Sequence, residues 1–131
     1  MTNDIQRFGK LLKAQKLVKM RDEANLENSR GLRQSLDEED HFLMSLMEQG
    51  SQADFFDPTL LSRRLERNAR HEAVLDHEIA NQTQTLLQSS RRCDVIDEKL
   101  QQAKDIEQRK DMAAMLEEYV AAKIIKDTSL A

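Results

Sequence analysis

Few side chains in this chain could carry out chemistry. The histidines are His41, His71 and His77, and the one cysteine is Cys93. A metal site built on a helix wants two ligands on one face, as an i, i+4 pair supplies. "HEAVLDHE" instead sets His71 and His77 on different faces of a helix, so neither reads as a ligand. "SRRCD" puts Cys93 beside Arg91 and Arg92, an arrangement that can lower a thiol pKa. Its place in the apolar period argues instead for a small buried residue. The acidic run "LDEED" lacks the alternating ligands and central glycine of a calcium loop and reads as a solvated face. There is no phosphate-cradling glycine loop and no G-x-S-x-G, and two long helices offer no cleft for a pair of acids. The expectation is a protein that works by binding, with no catalytic residue, metal or cofactor.

The elements that would position a binding surface follow from composition. The chain has 131 residues, 34% charged and 39% hydrophobic, with no tryptophan, three glycines and one proline. That length bounds it to one domain (1–131), yet the aromatic and β-branched store is small for a globular core. The turn chemistry is too sparse for a fold of five or six elements. What remains is the Ala/Glu/Lys/Leu/Arg signature of long helices and coiled coils. A net charge of −4 with no separate basic run disfavours nucleic acid. The opening "MTNDIQRFGK" has no apolar signal core, and no stretch reaches membrane-spanning length, so direct membrane insertion is not expected. A lone cysteine suits a reducing cytosol.

Helix-breaking signals gather in one place. Gly50 can supply the residue that ends a helix, and Asp57-Pro58 gives an N-cap followed by proline at the first helical position. The fold expected is all-α: a long two-helix antiparallel coiled-coil hairpin. Its first helix covers about 3–49, its turn 50–57 and its second helix about 58–126, with a short C-terminal tail. In the first helix Phe8, Leu36 and Leu43 share one heptad phase, and Leu11, Val18, Leu32 and Leu46 share the phase three residues on. In the second the seam runs Leu61, Leu65, Leu75, Ile79, Leu86, Cys93, Ile96, Leu100 and Ala103. Polar residues interrupt both seams: Gln15, Asp22, Asn25 and Ser29 in one, Asn68, Glu72, Gln82 and Ser89 in the other.

Charge sets the orientation. Residues 1–35 hold eight Lys/Arg against four Asp/Glu, and 36–57 hold seven acids and no base. Residues 58–93 hold six bases against four acids, and 94–131 six against nine. Folding at the turn sets "LDEED" beside "RRLERNAR". It also sets Lys10, Lys13, Lys16 and Lys19 beside the acidic stretch after Cys93. A parallel dimer would stack like on like, so the antiparallel pair is preferred. In that register Leu46 faces Leu61, Leu32 faces Leu75, Asn25 faces Gln82, Leu11 faces Ile96 and Phe8 faces Leu100.

The first helix then runs out opposite Ala103, and the second continues alone. Ile106, Ala113, Leu116, Val120 and Ile124 recur there at helical spacing, slipped by one residue from the seam before them, with Tyr119 and Ile125 flanking. An unpartnered apolar stripe of this kind is expected to bind something. At the other end Phe56, just before the N-cap, is placed to fold back as a staple onto Leu60 or Leu61. That leaves Phe55, with Phe42, as the candidate aromatic contacts near the turn.

With "IQRFGKLLKAQKLVKMRDEANL" opening a basic first helix and "VIDEKLQQAKDIEQRKDMAAMLEEYVAAKIIKD" ending a longer second one, the chain resembles the FliJ/YscO family. These are stalk proteins of flagellar and virulence type III export machines. The likeness is one of length, charge and helix layout over nearly the whole chain. It implies an antiparallel coiled coil similar to the central stalk of rotary ATPases, cytoplasmic and peripheral to the export apparatus at the inner membrane. It further implies that Ala113, Leu116, Val120 and Ile124 enter the hexameric export ATPase. The turn end, with Phe42 and Phe55, would face the export-gate membrane protein, and export chaperones are further partners. The chain departs from better-known members in lacking tyrosines near the turn. The alternatives are an export chaperone holding a secreted subunit, and a structural coiled-coil dimer.

Overall fold

A computed structural model describes residues 2–49 and 57–129. They form two helices, α1 (Thr2–Gln49) and α2 (Pro58–Ser129), with no strand among the described residues. The fold is all-α, as composition and punctuation require. α2 starts where the sequence places its cap. The Asp57 carboxylate accepts the Thr59 N–H at 2.9 Å, and its carbonyl accepts from Leu60 and Leu61 at 3.1 and 3.3 Å. Pro58 has no N–H to leave unsatisfied at that position. The helix ends agree with expectation at 49 and 58, and α2 continues past 126 to Ser129. The proposed roles of Gly50, Phe55 and Phe56 lie outside the described residues.

The chain divides into two compact units, Met1–Leu17 with Arg91–Ala131, and Val18–Ser90. In the first, Leu12, Cys93 and Leu100 are buried together, with Ile5, Phe8 and Ile96 packed against them. Gln15 lies beside Arg91–Ile96 while Phe8 lies beside Lys99–Ala103, so the two segments run antiparallel. Each side chain fully buried here contributes about 1.5–3 kcal/mol of transfer free energy. Cys93 is one of them, small and enclosed, as its phase in the seam indicated.

In the second unit Leu26, Leu43 and Leu75 are buried along the seam, with Leu36, Leu61, Leu65, Ile79 and Leu86 half-buried. Cross-helix bonds again run antiparallel. Glu39 pairs with Arg64, Asp40 accepts from the Asn68 amide at 2.9 Å, Arg33 pairs with Asp76 at 2.8 Å, and Ser89 donates to Asp22. The juxtaposition of "LDEED" with "RRLERNAR" is thus realised in specific bonds.

The seam of α2 lies on the residues read from the sequence, including the polar Asn68, Glu72, Gln82 and Ser89. That of α1 needs a correction. Phe8, Leu36 and Leu43 belong to it, but the second phase is Ile5, Leu12, Lys19, Leu26, Arg33 and Asp40. Leu11 and Leu32 are exposed and Val18 and Leu46 are only half-buried, so Leu11 and Leu32 do not face Ile96 and Leu75 as seam layers. Asn25 is exposed as well and does not meet Gln82 in the seam. The reason is chemical: three positions of the true phase are charged, and a search for apolar heptads passes them over. Lys19 and Arg33 can lie there because their aliphatic stems cover apolar surface while the charge reaches outward.

Candidate partner-binding surface

In the first unit the buried face of α2 ends at Glu107, and every described residue from Gln108 to Ser129 is exposed. Continuing the seam by heptads would bring up Lys110, Ala114, Glu117 and Ala121, which offer no large apolar side chain. The apolar residues instead sit one position back, at Ile106, Ala113 and Val120 with Leu116. One residue of an α-helix turns through about 100°. The apolar face of the overhang is therefore turned about 100° from the side on which α1 lies. A partner can dock there without displacing α1.

The four stripe residues expected to bind are all exposed and share this part of α2: Ala113, Leu116 (62%), Val120 (51%) and Ile124. The structure adds Met112 and Met115, exposed like the flanking Tyr119 and adjoining the stripe on the same side. Met112, Met115, Leu116 and Tyr119 stand at i, i+3, i+4 and i+7 of a row beside the heptad phase of Ile106, Ala113 and Val120. Plotting the helix by angle finds them, because Met112, Leu116, Tyr119 and Val120 fall within one arc of about 100°. Two methionines and a tyrosine suit an adaptable contact surface, since a thioether chain conforms to its partner and an aromatic ring adds large area.

Near the other ends of the helices Phe42 is 62% exposed on α1. Phe55, its companion in the expected gate contact, lies outside the described residues. Expected ion pairs between Lys10, Lys13, Lys16 or Lys19 and the acids after Cys93 are not formed among the described residues. Lys10, Lys13 and Lys16 are exposed, and Lys19 lies half-buried in the seam. His41, His71 and His77 are exposed, with His41 Nδ1 against the Asp37 carbonyl at 2.8 Å and His77 against Asn81.

The acidic run is not wholly a solvated face. Asp37 and Glu38 are exposed, but Glu39 and Asp40 are half-buried against α2. Asp37, Asp40 and Glu72 bring carboxylate oxygens within 4.8 Å of one another. Arg33 answers part of that charge, bonding to Asp37 and Asp76 and standing 3.7 Å from Glu72. The hydrogen bond shared with Asp40, followed by burial, raises the Glu72 pKa above the usual carboxylate range. The same bond holds Asp40 below it, aided by the Asn68 amide. Arg33 meets Asp37 and the Asn68 amide meets Asp40, while the buried Glu72 Oε1 has no hydrogen-bond partner.

No family model, curated protein or solved structure matches the chain. Among the described residues no helix is long and apolar enough to cross a membrane.

Proposed function

We propose that this protein is a non-enzymatic stalk or adaptor of a flagellar-type (type III) protein export apparatus, acting in the cytoplasm beside the inner membrane. One observation carries the binding role: α2 continues beyond its packing against α1 with Leu116, Val120 and Ile124 presented to solvent. A helix with such a stripe is a ready anchor for a groove or ring lined by other helices. The assignment to export machinery rests on the likeness in length, charge and helix layout to the FliJ/YscO stalks. On that reading the overhang occupies the ring of the hexameric export ATPase. Phe42, with Phe55, is offered toward the export gate.

The test is hydrolysis by a cognate export ATPase with and without the full chain. Stimulation that is lost on Leu116→Asp or Val120→Asp, with helix content unchanged, supports the stalk. If those variants leave hydrolysis unaltered but abolish capture of a secreted filament subunit, the protein is an export chaperone and the stalk reading fails.

A further inference from the structure

We infer that residues 103–126 of α2 also pair antiparallel with the same segment of a second copy of this chain. The inference is independent of the stalk reading and rests on the self-complementarity of the exposed segment. Ile106, Ala113 and Val120 occupy one heptad position on its apolar face, and Arg109, Leu116 and Lys123 the position three residues on. A parallel pair would stack Arg109 on Arg109 and Lys123 on Lys123 in the seam. An antiparallel pair alternates the two positions. It sets Ala113 against Leu116 of the second copy, Arg109 against Val120, and Lys123 against Ile106. Each cation then lies along an aliphatic neighbour with its head in water.

The flanks agree with the same register. Asp105 meets Lys126 of the second copy, Lys110 meets Glu117, and Met112 meets Tyr119, a thioether beside an aromatic ring. Two-fold symmetry makes each of these pairs occur twice. All six of these side chains are exposed on the single helix.

The register also reaches back to the place where α1 begins. It brings Ile124 of the second copy over Ala103. There Phe8, Ala103 and Ile106 line a groove of about 210 Å³ at the edge of the α1–α2 contact. Its apolar residues are rimmed by Asp4, Lys99, Gln102, Glu107 and Lys110, and the space of several waters can take one aliphatic side chain. The new seam is thus continuous with the packed one. A different partner seeking Leu116 and Val120 must displace the second copy, so dimerisation acts as a reversible mask on the stripe.

Site-specific crosslinking of the full chain tests the arrangement. In a Cys93→Ala background, Met112→Cys and Tyr119→Cys proteins are mixed and treated with a short bismaleimide. The mixed 112–119 product should form at least about tenfold faster than either self-crosslink, as expected if only that pair meets across the axis. Faster 112–112 and 119–119 products would mean a parallel pair and overturn the inference. Independently, with Cys93 intact, sedimentation should show a monomer–dimer equilibrium. Asp105→Lys should weaken it roughly tenfold, and adding Lys126→Asp should restore it. A protein that stays monomeric at millimolar concentration would also overturn it. That result would leave stimulation of the ATPase by the monomer untouched.

Discussion

Replacing Leu26 by alanine removes a side chain that is 97% withdrawn from water, at 3% exposure, whereas Leu32 is 54% exposed. The two leucines lie on the same helix in the same unit, so differences in helix propensity cancel. Truncating Leu26 forfeits the transfer of three carbon groups at about 0.8 kcal/mol each. Adding the cavity left in the seam brings the cost to about 3 kcal/mol. Truncating Leu32 leaves no cavity and should cost under about 1 kcal/mol. With an unfolding entropy near 2.1 cal/mol/K per residue, the 131-residue chain should lose roughly 10 °C of Tm for Leu26→Ala. Leu32→Ala should lose no more than about 4 °C. Circular dichroism melts and urea midpoints, with equal m-values, read both changes. If Leu32→Ala proves the more costly, the seam runs through Leu11 and Leu32 after all and the assignment through Leu12, Leu26, Arg33 and Asp40 is wrong.

Three further outcomes are expected. Glu72 holds its proton more tightly folded than unfolded, so its contribution to stability is complete below the unfolded carboxyl pKa of about 4.3 and is lost as pH rises through the higher folded value. Asp40 and Glu39 are shifted the other way, and their contributions are lost as pH falls toward and below about 4. Glu72→Gln keeps a donor toward Asp40 without the charge. It should melt higher than the parent at pH 7, with the gain shrinking toward zero near pH 4 in pH-scanned melts; a gain equal at both pH values would contradict the upward shift of Glu72. Ser89→Ala leaves the buried Asp22 carboxylate without its cross-helix donor and should cost about 2 kcal/mol by urea denaturation, with Asp22→Leu in the same chain recovering part of the loss. Gly31 sits inside α1 with nothing within 4 Å of an added Cβ, so Gly31→Ala should raise stability by about 0.5–1 kcal/mol in the same assay.

Much of the surface proposed to bind was legible before any coordinates. A stripe of Ile106, Ala113, Leu116, Val120 and Ile124 is a one-dimensional pattern, and its slip from the seam ending at Ala103 shows in the same register. Met112 and Met115 escaped because their row, Met112, Met115, Leu116 and Tyr119, lies beside the heptad phase of Ile106, Ala113 and Val120 that was followed. They meet the stripe at Leu116, which is four residues on from Met112.

The sequence by itself determined the helices, the Asp57-Pro58 start of α2, the antiparallel sense and the seam of α2. Each follows from a local or periodic rule: capping chemistry, heptad spacing, or blocks of opposite charge. Tertiary structure alone decided the phase of α1. At Leu11-Leu12 two equally apolar neighbours compete, and at Lys19, Arg33 and Asp40 a charged residue holds a seam position. Which neighbour turns inward depends on what stands opposite. Arg33 can lie in the seam because Glu72 and Asp76 meet it there, and Asp40 because Asn68 and Glu72 do. Hydrophobic periodicity carries no record of such pairing, since a charge is buried only through the partner that bonds it.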